Sequence, residues 1–383
     1  MTSQVSPLAL ATPRSGIREV LELALAMEDV VHLELGEPSF ATPDHIVDAA
    51  SRALREGWTK YTSNEGVPAL REALAAKLDR VNHITADPDQ ILVTSGAVEG
   101  LYSTLLALCD EGDEILVPDP GWSNYMSMAH LIRAKSVGYH LSPENGFLPD
   151  IAELEALITP RTRVLLINSP SNPIGSIIGE QHMRELIDFA ERRGLWLISD
   201  ECYDQLTFEP GFVSAAALSD YDRIITAHSF SKTYAMTGWR IGYMTLPEGL
   251  PKIVARVHEP IVSCVSSVGQ AAAIAALTGP QDCISEMLDT YRERRDRSLE
   301  ILAEHEVPVA VVPQGAFYLW LDLRERVESS KRFALDLLAE ERVAIAPGTA
   351  FGGFAEGFAR ISFGGDSEAL ATGLERLGRR LAR

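Results

Sequence analysis

The stretch Ser229-Phe230-Ser231-Lys232-Thr233-Tyr234-Ala235-Met236-Thr237-Gly238-Trp239-Arg240-Ile241-Gly242-Tyr243 begins just past a short β-branched run, Arg223–Ala227. Such a run, too short for a helix and ending in small or polar residues, reads as a strand buried on both faces of a parallel sheet. Strand ends are where open α/β sheets build their sites. Here the strand end is followed by one amine, Lys232. Serine hydroxyls lie three and one residues before it, and the Arg240 guanidinium lies eight residues after it. Those groups suit a phosphate, and an amine beside positive charge and partly out of water acquires the lowered pKa that Schiff-base chemistry needs. Alone, a serine-rich loop with one lysine is more often plain surface. The rest of the chain has to decide.

Similar runs recur at Ile91–Thr94, Glu114–Val117, Val164–Ile167 and Leu195–Ser199. Between or beside them Pro68–Arg80, Val98–Leu108 and Glu180–Arg193 carry apolar residues at three- and four-residue spacing. This alternation predicts an α/β fold with a doubly wound, mostly parallel sheet. At 383 residues the chain exceeds what one core usually serves, so a second, smaller domain is expected. From about Cys283 the pattern changes to a long charged helix through His305, a strand-like Phe317–Leu323, a helix near Arg332–Glu340 and a last helix after Asp366. That is an α+β layer. The first 45 residues are too short to fold alone. The expected division is therefore a large domain over 46–282 and a small one built from both termini, 1–45 and 283–383.

Four more strand ends carry chemistry. Leu195–Ser199 runs into Asp200 and Glu201, with Tyr203 close behind. A carboxylate there is poorly solvated and needs a cation or strong donors, and a protonated pyridine nitrogen is one such partner. Tyr203 would then donate to the phenolate oxygen of the same ring. A helix N-cap aspartate is an equally good reading. The loop from Asn168 to Gly175, rigid with two prolines, directs Asn172 toward the cleft or is simply a turn. Gly96, Ala97 and Val98 open a helix whose free N–H groups suit an anion, or pack a tight βα turn. Trp122 offers a plane for a flat ligand, or packing. Farther on, Arg360 lies in the apolar run Phe358–Phe363 after a glycine-rich turn. It needs an anion, from the protein or from a substrate.

Composition narrows the classes. With 34 basic and 54 acidic residues the formal charge is −20, which argues against attraction to nucleic acid or anionic lipid. There is no G-x-G and no P-loop motif, so dinucleotide and ATP sites of those kinds are disfavoured. The four cysteines fit neither zinc-ligand spacing nor a disulfide framework, so no metal is expected and a reduced, cytoplasmic setting is. No basic residue precedes the apolar stretch Leu8–Ala11, so a secretory signal is not expected. No apolar run approaches membrane-spanning length.

Taken in order, Gly36-Glu37-Pro38, Tyr61-Thr62-Ser63-Asn64-Glu65-Gly66, Asn172, Asp200, Lys232, Arg240 and Arg360 resemble the class I and II aminotransferases of the aspartate aminotransferase fold over nearly the whole chain. The resemblance implies a type I pyridoxal-phosphate fold with Lys232 as Schiff-base lysine and general base. It implies Asp200 on the pyridine nitrogen, Asn172 and Tyr203 on the ring oxygen, and Trp122 against the ring. Arg240, Ser229 and the turn Gly96, Ala97, Val98 would hold the phosphate, joined by Tyr61 from the second subunit of a homodimer. Arg360 with Asn172 would bind the substrate α-carboxylate, and Gly36 would face the substrate. The implied reaction moves an amino group from an amino acid to a 2-oxo acid. The alternatives are a carbon–sulfur β-lyase and a non-catalytic protein of the same fold. One departure is the phosphate turn, where many relatives carry serine or threonine. The donor stays open: no arginine stands out for reading a distal carboxylate, Arg14 and Arg18 being conceivable candidates, and alanine, aspartate, branched-chain and aromatic donors all fit.

Overall fold

The computed structural model describes residues 4–382. Its centre is a seven-stranded sheet with spatial order Ile91–Thr94, Gly242–Thr245, Ile224–Ser229, Trp196–Asp200, Thr162–Asn168, Glu114–Asp119, Lys135–His140. Gly242–Thr245 runs antiparallel to both its neighbours, and all other pairings are parallel. The five runs with continuous apolar character are strands, fully or almost fully buried. Helices on both faces remove the alternation that a half-exposed strand would show.

Two strands carry no such run. Lys135–His140 is one edge of the sheet, largely half-exposed along its length, so Lys135, Ser136 and Gly138 meet no burial constraint. Gly242–Thr245 is only four residues long and continues directly from the Lys232 loop. A side chain at Gly242 would place its Cβ 2.5 Å from Ala97 N and 2.8 Å from the His228 carbonyl. Glycine there lets the antiparallel strand pass beneath the start of helix Gly96–Leu108.

Helix Glu180–Arg193 ends at Gly194 in the left-handed region, and Asp366 caps Ser367–Leu381 by accepting from Glu368 N and Ala369 N. The predicted helix over Pro68–Arg80 divides at Lys77 and closes in a wider turn, Leu78–Asn82. Beyond the long helix Asp282–Glu304, strands Tyr318–Asp322, Phe358–Ser362 and Ala346–Pro347 form a small antiparallel sheet. Val31–His32 pairs in parallel with Val343–Ala344, which ties the N-terminal segment to this layer. Leu33, Phe317, Leu319, Ile361 and Leu374 are among its buried core. Among the described residues no helix is long and apolar enough to cross a membrane.

Parallel register sets the polar strand ends level. Asn168 lies opposite Asp200, and Asp200 opposite Ala227, two residues before Ser229. These carboxyl ends open, together with Gly36, Tyr318 and Arg360 from the smaller layer, onto one cavity of about 630 Å³.

Candidate active site

Lys232 sits in the single helical turn Phe230–Thr233 that follows its strand, where Ser229 Oγ accepts from Ser231 N at 3.1 Å. Its Nζ donates to the Gly36 carbonyl at 2.6 Å and lies 5.7 Å from the Phe317 ring centroid. Burial pulls the amine down to about 8, and the Arg360 and Arg240 guanidiniums act in the same direction. A fraction of Lys232 is therefore a free nucleophile and base near neutral pH.

Asp200 is 4 % exposed, and no helix follows it, which removes the N-cap reading. Its Oδ2 accepts from Tyr125 Oη at 2.6 Å and its Oδ1 from Cys202 N at 3.2 Å. Among the described residues it makes no ion pair within 4 Å with Lys, Arg or His. Burial raises its pKa, and the Tyr125 hydrogen bond only partly opposes that.

Asn168 links the next strand: its Nδ2 donates to the Asp200 carbonyl at 2.9 Å and its Oδ1 accepts from Asn172 N at 2.8 Å. Asn172 Oδ1 in turn accepts from Arg360 Nη1 at 2.8 Å. Arg360 is 2 % exposed, donates through Nη2 to the Glu34 carbonyl, and stands 4.3 Å over the Tyr318 ring. It ion-pairs with no carboxylate among the described residues, and its Nε has no partner. A buried guanidinium so placed is suited to an anion. Tyr318 and Tyr203 share a hydroxyl contact of 2.7 Å. At the other end Gly96 has φ +72°, and a Cβ there would come within 2.6 Å of Arg240 Nη2. Ala97, Val98, Trp122, Ser229 and Arg240 line the same cavity.

Residues 28–377 match the family model for aminotransferase class I and II. The chain belongs to that family. It is 37% identical over 385 residues to a probable aspartate/prephenate aminotransferase of Aquifex aeolicus, covering 98% of this chain and 97% of that one. It is also 37% identical to an aspartate aminotransferase of Pyrococcus horikoshii, covering 97% and 96%. Among solved structures, Thermus thermophilus aspartate aminotransferase with maleate superposes with a TM-score of 0.93 at 36% identity, covering 98% and 99%. The aromatic aminotransferase of Pyrococcus horikoshii gives 0.90 at 37%, covering 96% and 98%. The protein is accordingly a pyridoxal-phosphate-dependent aminotransferase of the type I fold.

Of the aminotransferase residues singled out from sequence, Gly36, Ala97, Val98, Trp122, Asn172, Asp200, Tyr203, Ser229, Lys232, Arg240 and Arg360 all line the cavity. Gly96 stands behind Arg240 rather than on the wall. Tyr61 is not brought to the cavity of its own chain and is 90% exposed. Sequence reasoning missed Tyr125, Asn168 and Tyr318 as parts of the site. Tyr125 and Tyr318 look like core aromatics, and only their hydroxyl partners distinguish them.

Proposed function

We propose that this aminotransferase works through Lys232, in a cavity whose residues fit pyridoxal phosphate. The observation that carries the proposal is Asp200, a buried carboxylate with no cation beside it among the described residues, facing the same cavity as a lysine of lowered pKa. A protonated pyridine nitrogen supplies the missing charge. Trp122 would cover the ring, and Asn172 and Tyr203 would donate to its ring oxygen. Ser229, Arg240 and the helix start at Gly96, Ala97 and Val98 would hold the phosphate. Tyr61, so exposed here, would reach the phosphate of a second subunit in a homodimer.

When bound, the cofactor supplies an electron sink for the pair left on the substrate's α-carbon. Arg360 and Asn172 fix the α-carboxylate, which orients the α-C–H bond toward Lys232 Nζ. Lys232 would take that proton as general base and hold it at Nζ for its return. Asp200 would keep the pyridine nitrogen of the bound cofactor protonated, and Gly36, on the cavity wall, would face the substrate. Several relatives are named aspartate aminotransferases, which makes aspartate and 2-oxoglutarate the first pair to test.

The test is an absorbance spectrum of the cofactor-loaded enzyme during addition of a panel of amino acids, then of 2-oxoglutarate or pyruvate. The bound-cofactor band should disappear with a donor and return with a 2-oxo acid. Lys232→Ala should lower turnover to below about 10⁻³ of wild type. Near-normal transamination by that variant would remove Lys232 from the reaction.

A further inference from the structure

Tyr203 and Tyr318 are 5% and 1% exposed, and both line the cavity. Their hydroxyls meet at 2.7 Å, with the rings edge to face at 80°. Tyr203 follows strand Trp196–Asp200 of the large sheet, and Tyr318 opens strand Tyr318–Asp322 of the small one, so the contact joins the two layers. Neither hydroxyl hydrogen-bonds any other described residue. Two phenols bring two protons, and one contact uses one of them. The other proton has no acceptor among the described residues.

Which phenol keeps the free proton follows from their surroundings. The Arg360 guanidinium stands 4.3 Å over the Tyr318 ring. Burial raises the pKa of both phenols and Tyr318 raises that of Tyr203 again, whereas Arg360 is the main influence opposing the rise at Tyr318. Cys202, the other titratable group acting on the pair, raises both. Tyr318 is thus the more acidic phenol and the stronger donor. Its hydroxyl also has a place made for it: a side chain at Gly36 would put its Cβ 2.0 Å from Tyr318 Oη. The bare backbone of Gly36 leaves that space to the hydroxyl. A ring that only packed between Arg360 and Phe317 would need neither the hydroxyl nor the room.

We infer that Tyr318 is a positioning residue for the cofactor's ring oxygen: its hydroxyl donates to Tyr203 Oη and leaves the Tyr203 proton for that oxygen. This rests on the donor role proposed above for Tyr203. A phenol that accepts a hydrogen bond gives a stronger one in return, because each bond polarises the next. Tyr318 acts through Tyr203 alone. Donation to the ring oxygen favours negative charge there, and with it loss of the proton from the nitrogen that joins the cofactor to Lys232. Weaker donation lets that nitrogen keep its proton to higher pH.

The experiment is a pH titration of the bound-cofactor absorbance band, without substrate, in wild type, Tyr318→Phe, Tyr203→Phe and the double variant. Binding of butyrate, a carboxylate that cannot react, is measured on the same preparations. Tyr318→Phe should raise the midpoint by about 0.4–1 pH unit, the equivalent of one neutral hydrogen bond. Tyr203→Phe should raise it further, and the double variant should match Tyr203→Phe within about 0.3 unit, because the two hydroxyls act as one chain. Butyrate affinity of Tyr318→Phe should stay within about twofold of wild type, since a phenylalanine ring still lies under Arg360. The inference is overturned if Tyr318→Phe keeps the wild-type midpoint, or if the two single shifts add in the double variant. Lost butyrate affinity at an unchanged midpoint would make Tyr318 a carboxylate contact instead. A midpoint that moves in neither single variant would remove the donor role of Tyr203, and this inference with it. A shift in Tyr203→Phe alone sinks Tyr318 and leaves the cofactor reading standing.

Discussion

Asp200 and Asp204 stand one short turn apart and are both buried, yet their surroundings differ in one respect. Asp204 has its cation. Lys77 Nζ donates to its Oδ2 at 2.5 Å and to Asn82 Oδ1 at 2.7 Å, and Asn82 Nδ2 donates to the same Asp204 oxygen at 2.9 Å. His228 Nδ1 lies 3.6 Å away. Burial pushes the Asp204 carboxyl up, but Lys77 and His228 outweigh it and hold the group well below the usual carboxylate range. Asp200 has a phenol and a backbone amide but no cation among the described residues, and burial leaves its pKa raised. A buried carboxylate paired inside the chain ties elements together, here helix Pro68–Lys77 to the turn after Asp200. One whose charge the chain leaves uncompensated is prepared for a ligand.

The comparison can be broken by exchanging the consequences. Asp200→Asn should cut turnover by about 10²- to 10³-fold or more, because the pyridine nitrogen loses its counter-charge, while the melting temperature of the cofactor-free protein should not fall. Kinetics and calorimetry on one preparation decide this, and a destabilised variant with ordinary turnover would reverse the roles. Lys77→Met should do the opposite, costing about 3–5 kcal/mol in urea unfolding because the buried Asp204 loses its lysine. Cofactor-loaded protein that remains folded should keep its kcat within about threefold, an order-of-magnitude allowance for a residue outside the cavity.

That deficit carries a pH signature. The folded-state pKa of Asp204 lies below its ordinary value of 3.8, so its stabilisation is present above that value and lost as the pH falls further. The gap between wild type and Lys77→Met should therefore narrow in acid. A gap independent of pH would mean that Lys77 contributes packing rather than charge. The smallest effect is expected for Tyr125→Phe, which takes from Asp200 its side-chain donor. A loss of about 1–2 kcal/mol, or roughly tenfold in kcat/KM, fits a single hydrogen bond to a charged group. Because the Tyr125 hydrogen bond lowers the proton affinity of Asp200, spectral titration of the bound cofactor should show the pair of Asp200 and pyridine nitrogen keeping its proton to higher pH in this variant.

How much of this was legible follows from how local each signal is. The apolar runs at Ile91–Thr94 and Trp196–Asp200 read as strands because burial on both faces leaves only apolar residues. Lys135–His140 did not, since this edge strand is left largely half-exposed, unlike the opposite edge Ile91–Thr94, which is fully buried. Lys232, Asp200 and Arg360 stood out as charged groups beside apolar runs. Tyr125 and Tyr318 did not, because their defining contacts reach 75 and 115 residues along the chain. Arg14 and Arg18 are indistinguishable in sequence, and only their placement against two different cavities separates them.

By itself, then, the sequence determined the alternation of strand and helix and the polar groups that end each strand, since periodicity and breaker residues act over a few positions. Tertiary structure alone decided which buried charges are paired. Lys77 meets Asp204 across 127 residues, while Asp200, four residues before it, meets no cation in the described chain. Desolvation and Coulomb attraction depend on distance and burial, and both are settled only when the sheet has closed its crossovers.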